Sequence, residues 1–278
     1  MSLDPRLTQR LAKAVLWAMT VLTVAVLVFI IVFVLRKGLP VIDLGFLTKS
    51  PVDMGKGGGI FSTIVGTAAL TALAVLIATP LGVGTAIFLT EYTWENTVTR
   101  VIRFGAECLA GIPSIIFGLF GFILFVTTLG FGWSILSGGL TLAFMILPTI
   151  IRTSEEAIKS VPPVFRTVSF SLGGTKWQTV TRVVLPSALP GIVTGIILSI
   201  GRSIGETAAV IFTAGSALRL PTSLFSSSRT MSVHFYILAR EGISMSRAYG
   251  TAAVLIIAIL LVNIATYRLM NRFIRKYS

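Results

Sequence analysis

The chain reads as an all-α integral membrane protein of six transmembrane helices with both termini in the cytoplasm. Three observations predict this. Of 278 residues, 54% are hydrophobic and only 12% are charged, whereas a soluble globular domain carries about 25% charge. Mean hydropathy is +0.93, and the apolar residues gather into six runs near the ~20 residues that cross a bilayer core. The net charge of +13 comes from basic residues in short segments beside those runs. That is the pattern of orientation signals and not of a nucleic-acid footprint.

The elements follow in order. Residues 1–13 form a cytoplasmic N-terminus, and 14–278 a single membrane domain. The first span covers 14–35. Behind a basic start it resembles a signal peptide in outline, but its apolar core is too long and no A-x-A-like cleavage site follows, so it is a retained anchor. A polar, glycine-rich loop (DMGKGGG, 53–59) leads to the second span, 60–89, long enough to tilt or to break at Pro80-Leu81-Gly82. A charged connection, 91–103, precedes the third span, 105–128, and a short turn leads to the fourth, 135–151. A cytoplasmic loop, 152–185, joins the fifth span, 188–212. A second polar loop, 213–247, joins the sixth, 248–270.

Orientation rests on Lys and Arg. Fourteen lie on the side of the termini: Arg6, Arg10, Lys13, Arg100, Arg103, Arg152, Lys159, Arg166, Lys176, Arg182, Arg268, Arg272, Arg275 and Lys276. Eight lie opposite: Arg36, Lys37, Lys49, Lys56, Arg219, Arg229, Arg240 and Arg247. The excess puts both termini in the cytoplasm.

The remaining basic residue, Arg202, stands inside the fifth span in GRSIGETA (201–208) together with Glu206. A charge at the centre of a membrane helix costs about 2.5–3.5 kcal/mol on insertion scales. At i,i+4 spacing the two side chains leave one helix face, which must look at a bundle or a water-filled path. Arg202 suits an anionic solute because its guanidinium binds oxyanions as a fork. Glu206 would repel one; it either pairs with an arginine or stays protonated. A static Arg202–Glu206 pair closing the bundle is the plain alternative. Ser203 and Thr207 can donate to an oxyanion or bond back to helix carbonyls. Gly191–Gly195 and Gly201–Gly205 have the spacing that lets membrane helices approach closely.

Other residues point to structure. Glu107 starts the third span within reach of headgroups, Pro113 and Pro148 kink or end helices, His234 is a structural loop residue, and Cys108 is a small apolar packer. One Cys and one His make no metal cluster, and no cofactor is expected. No nucleophile or metal constellation for an enzyme is present. The Gly55-Lys56 pair lacks the rest of a phosphate-binding loop.

The loop at 161–186 reads VPPVFRTVSFSLGGTKWQTVTRVVLP. Tandem prolines open a short helix, 164–172, with Val164, Phe165, Val168 and Leu172 on one apolar stripe; Gly173-Gly174 break it, and a second helix, 175–184, ends at Pro186. Such a helix either lies on headgroups or docks in a partner's groove. Gly173, nine residues, then Val183-x-Leu185-Pro186 resembles the cytoplasmic signature of binding-protein-dependent ABC permeases. Its E-A-A half falls on Thr167, Val168 and Ser169 and is degenerate. Residues 185–215, 110–121 and 147–162 also resemble the phosphate-specific permeases of that family, and length favours the A-type subunit over its longer C-type partner.

The resemblance implies a type I ABC importer permease fold and a non-catalytic phosphate permease subunit of the bacterial or archaeal inner membrane. It implies a partner permease, a homodimeric ATPase engaged by Val164, Phe165, Val168, Leu172, Gly173, Leu185 and Pro186, and a phosphate-binding protein on the far side. It also implies a phosphate path along Arg202, Ser203, Glu206 and Thr207. A permease for sulfate or molybdate is the nearest alternative. An ion-coupled secondary transporter would also carry intramembrane charges but needs no signature loop.

Overall fold

The computed structural model describes residues 5–277; residues 1–4 of the N-terminal segment and residue 278 lie outside the described residues, as do the tail side chains at 272, 275 and 276. Among the described residues the regular structure is helical apart from one small hairpin, with an irregular stretch at 214–230. α1 (Pro5–Gly38) touches the rest mainly at its end, where Phe33 meets Tyr249 edge-on at 5.8 Å and Gly38 lies against Tyr249 and Ala253. α2 (Leu44–Thr48), capped by Asp43, and the hairpin β1 (Pro51–Val52) and β2 (Gly57–Gly58) follow, with Pro51 opposite Gly58.

α3 (Phe61–Ile87) runs on through a wider π turn, Phe88–Tyr92. Pro80 sits inside it without breaking it. α6 (Ile135–Lys159) lies alongside, and small residues set the distance. A Cβ added to Gly82 would stand 2.7 Å from Ile150, and one on Gly138 or Gly139 2.6 Å from Leu70 or Leu73. Such contacts bring helices together where lipid offers no hydrophobic drive. The main core lies here, with Leu70, Ala74 and Ala78 against Leu142, Met145, Ile146 and Ile150.

The third span differs from expectation. Residues 105–128 are not one helix: α4 (Thr97–Ala110) and α5 (Ser114–Gly121, continued by a π segment, Phe122–Thr128) meet at 103°. Pro113 causes this, because its ring drives the preceding residue out of helical geometry. Cys108, expected to be packed, is exposed on α4. α6 continues past 151 to Lys159, so the following loop begins later than expected.

After α6 come α7 (Pro163–Ser171) and α8 (Lys176–Thr179). α8 then passes through a π turn, Val180–Val184, into α9 (Leu185–Gly205). Pro186 was expected to end a helix and does not. The Leu185 N–H reaches back five residues to the Val180 carbonyl, and the widened turn accommodates a proline that cannot donate. α10 (Ala208–Thr213), α11 (Met231–Arg240) and α12 (Met245–Tyr277) complete the chain. His234 belongs to α11 and not to a loop. It is 1% exposed, accepts from Arg229 Nη1 at 3.4 Å, and is held down to about 4 by burial, then by Arg229 and Arg247. It is a neutral packing residue.

Among the described residues, five helical runs are long and apolar enough to cross a membrane: Gln9–Val41, Phe61–Tyr92, Ile135–Lys159, Lys176–Gly205 and Met245–Arg268. The bent α4–α5 pair makes six if it counts as one span.

Candidate translocation site

α9 carries the charged segment, and its packing sets where Arg202 stands. Of the two GxxxG pairs, only the first is a close contact: a Cβ on Gly191 would meet Ala157 at 2.6 Å, and one on Gly195 would strike Thr153. Gly201 and Gly205 face open space within this chain. Continuing the antiparallel register of the first pair puts Arg202 about level with Ile146, inside the apolar part of α6. Thr194, Leu198, Arg202 and Gly205 form one exposed stripe, and Arg202 makes no hydrogen bond or ion pair with a described residue. Ile200 and Ile204 face the other way, into an apolar groove of about 450 Å³ shared with α3 and α12.

Glu206 does not share the Arg202 face. α9 ends at Gly205, and Glu206 is extended at φ −71° and ψ 130°. The break is internally satisfied. The Glu206 carboxylate accepts from the backbone N–H groups of Thr207 and Ala209, both at 3.2 Å, and so caps α10. Its carbonyl accepts from Ser232 Oγ at 2.6 Å. Carboxylates suit helix N-termini, and broken helices are tolerated at membrane depth where protein or a cavity surrounds them. The expected i,i+4 relation of Arg202 and Glu206 is therefore absent. Ser203 is 3% exposed with no hydroxyl partner among the described residues, and Thr207 donates to the Gly205 carbonyl at 3.4 Å.

The loop carries the second candidate group. Pro163 stands at the first position of α7, where a missing N–H costs nothing. Gly173 ends the helix at φ +80°, and the N–H groups of Gly173 and Gly174 return to the carbonyls of Phe170 and Ser169. That is a Schellman ending, and only glycine adopts it without strain. Val164, Phe165, Val168 and Leu172 are all exposed, as the stripe predicts, at 46–83%. Leu185 instead packs into a second core with Ala86, Ala157, Ile158 and Val161, and Pro186 is on the surface of the continuous helix.

Sequence reasoning missed the ties that hold this loop. Arg166 donates through Nε and Nη2 to Glu91 Oε1 at 3.0 and 2.6 Å, and through Nη1 and Nη2 to the carbonyls of Val161 and Ile158 at 2.8 and 3.1 Å. Arg103 Nε approaches Glu155 Oε1 at 2.8 Å, and Lys159 reaches the same oxygen at 2.7 Å, joining α4 to α6. The Thr175–Gln178 capping box at the start of α8 was readable locally as T-x-x-Q.

Residues 78–278 match the model of one family, described as binding-protein-dependent transport system inner membrane component. This chain belongs to that family. The permease is 34% identical to the probable ABC transporter permease protein YqgI of Bacillus subtilis, over 99% of both chains. It is 34% identical to phosphate transport system permease protein PstA 1 of Mycobacterium tuberculosis H37Rv, over 78% of this chain and 70% of that one. Its fold resembles a bacterial alginate ABC transporter solved in complex with an alginate pentasaccharide-bound periplasmic protein. The TM-score is 0.69 with 96% of each chain covered, at 16% identity. The permease is thus a multi-pass inner-membrane subunit of a binding-protein-dependent transport system, one membrane component of an ABC-type importer.

Proposed function

We propose that this permease imports phosphate as the A-type subunit of a two-permease pair. In this reading residues 14–278 are one membrane domain behind a cytoplasmic N-terminus, 1–13. α1, α3, α5, α6, α9 and α12 are six spans, α4 lies at the cytoplasmic surface, and both termini are cytoplasmic. Loop 152–185 meets a homodimeric ATPase, and a phosphate-binding protein docks at the opposite face. The partner permease covers the open stripe of α9 and completes the path, with Arg202 contacting phosphate and Ser203 and Thr207 as further donors. Glu206 caps α10 and holds the break beside that path.

One observation carries this reading: an unpartnered arginine on an uncovered helix face within an apolar span, in a chain similar to a phosphate permease over most of its length. The test is uptake of labelled phosphate into cells lacking their own system and expressing this permease with its partner permease, ATPase and binding protein. Phosphate uptake unaffected by excess sulfate or molybdate is expected. Transport of sulfate or molybdate instead would make it a permease for that oxyanion, and uptake without the ATPase would make it a secondary transporter.

The α7 stripe gives a separate prediction. Val168 is 52% exposed at its centre, and a charge there would sit in the apolar contact with the ATPase. Val168→Asp is expected to weaken ATPase co-purification by about tenfold or more, the scale of a central interface residue, while the permease itself stays folded.

A further inference from the structure

The exposed stripe of α7 can grip an ATPase, but a gripped helix transmits motion only if it is fastened to the membrane helices. Connecting loops are ordinarily mobile. Here one side chain fastens three elements. Arg166 projects from α7 away from the stripe, and its side chain is only 21% exposed. Two of its nitrogens hold Glu91, itself 8% exposed, in the π turn that ends α3. Two hold carbonyls at the end of α6, those of Ile158 and Val161. The Ile158 carbonyl belongs to the last turn of α6, where it also accepts from the Val161 N–H at 3.3 Å, and the Val161 carbonyl lies just beyond the helix; a cation beside this C-terminal turn is favoured. The planar fork serves a carboxylate and two carbonyls at once, which a lysine cannot do.

Lesser contacts close the arrangement. Ser169 Oγ lies 2.8 Å from Thr179 Oγ1 at the root of α9, and the Lys176 ammonium stands 5.5 Å over the Tyr92 ring at the end of α3. Directly beneath, Ala86, Ile158, Val161, Val184 and Ala188 pack α3, α6 and α9 together.

We propose that Arg166 is the positioning residue that makes α7 move as one body with the ends of α3 and α6, with Glu91 as its anchor. This rests on the reading of α7 as the helix that meets the ATPase. Arg166 touches neither solute nor nucleotide; it converts displacement of the loop into displacement of the bundle.

The test uses the assembled complex with Cys108→Ser as background and spin labels at Ser171→Cys on α7 and Leu81→Cys on α3. With Arg166 and Glu91 intact, the label-to-label distance is expected to be the same with and without trapped nucleotide. With Glu91→Gln, which keeps the side chain's shape, or Arg166→Ala, the distance is expected to change on nucleotide trapping while the ATPase still co-purifies. ATP hydrolysed per phosphate moved should rise roughly tenfold, within the usual span of site-to-site coupling. If Arg166→Ala does not fold, Glu91→Gln decides alone. An unchanged distance and unchanged ATP per phosphate in Glu91→Gln would overturn the proposal, leaving the α7 reading intact if Val168→Asp still loses the ATPase. If Val168→Asp retains the ATPase, the α7 reading falls and this proposal falls with it.

Discussion

Arg202→Ala is expected to reduce phosphate uptake by at least tenfold while the ATPase and the partner permease still co-purify. The side chain is exposed on α9 beside two glycines that leave its surroundings open. It makes no hydrogen bond or ion pair with a described residue, so its removal breaks nothing inside this chain. On the proposed reading, what is lost is its contact with phosphate. Hydrogen bonds to charged groups contribute about 1.5–3 kcal/mol each, and tenfold corresponds to roughly 1.4 kcal/mol. Arg202→Lys keeps the charge and loses the fork, so intermediate uptake is expected. Normal uptake by Arg202→Ala would instead make Arg202 a structural contact with the partner permease. Labelled-phosphate uptake, normalised to complex recovered from the same cells, reads all three variants.

Gly195→Leu is expected to destabilise the permease more than any exposed substitution. A Cβ at this position runs into Thr153 Oγ1 and stands 2.7 Å from Thr153 Cβ. The rest of a leucine side chain has to fit between α6 and α9, one of the most extensive helix contacts in the chain. Overpacking of this kind costs about 1–3 kcal/mol even where a core can shift. Gly201→Leu, on the same helix but facing open space, is expected to change the isolated chain by less than about 0.5 kcal/mol. Thermal unfolding of the purified permease in detergent separates the two. Equal loss in both would mean that glycine flexibility, and not close packing, is what α9 requires.

The two glycine pairs have the same spacing in sequence, and only the neighbouring helix shows which one packs closely. That difference marks how much was legible. The long apolar spans were readable because hydropathy is summed over many residues and tolerates error at the ends. The α7 turn was readable because its signals are local: prolines at 162–163, a stripe at helical spacing and Gly173 where a left-handed residue ends the helix. Pro113 in the sequence signals a kink or a helix end, but not the size of the bend, 103°, because apolar residues run on both sides of it. The break at Glu206 was hidden more deeply, because what stabilises it includes the hydroxyl of Ser232, 26 residues away. Arg166 and Glu91 are 75 residues apart, and a pair so separated leaves no trace in local spacing. The charged segment was therefore found by its cost in lipid, while the geometry around it came from tertiary contacts.

The unbroken passage from Lys176 to Gly205 has a mechanical consequence. Thirty helical residues make a stiff rod about 45 Å long, rooted among the loop contacts at one end and carrying Arg202 near the other. The helix is continuous through the π turn near its root, and a tilt of about 5° there would swing Arg202 by roughly 3 Å, more than a hydrogen bond can stretch. On the proposed reading, solute affinity at the far end is set by the angle of a lever whose handle lies outside the membrane.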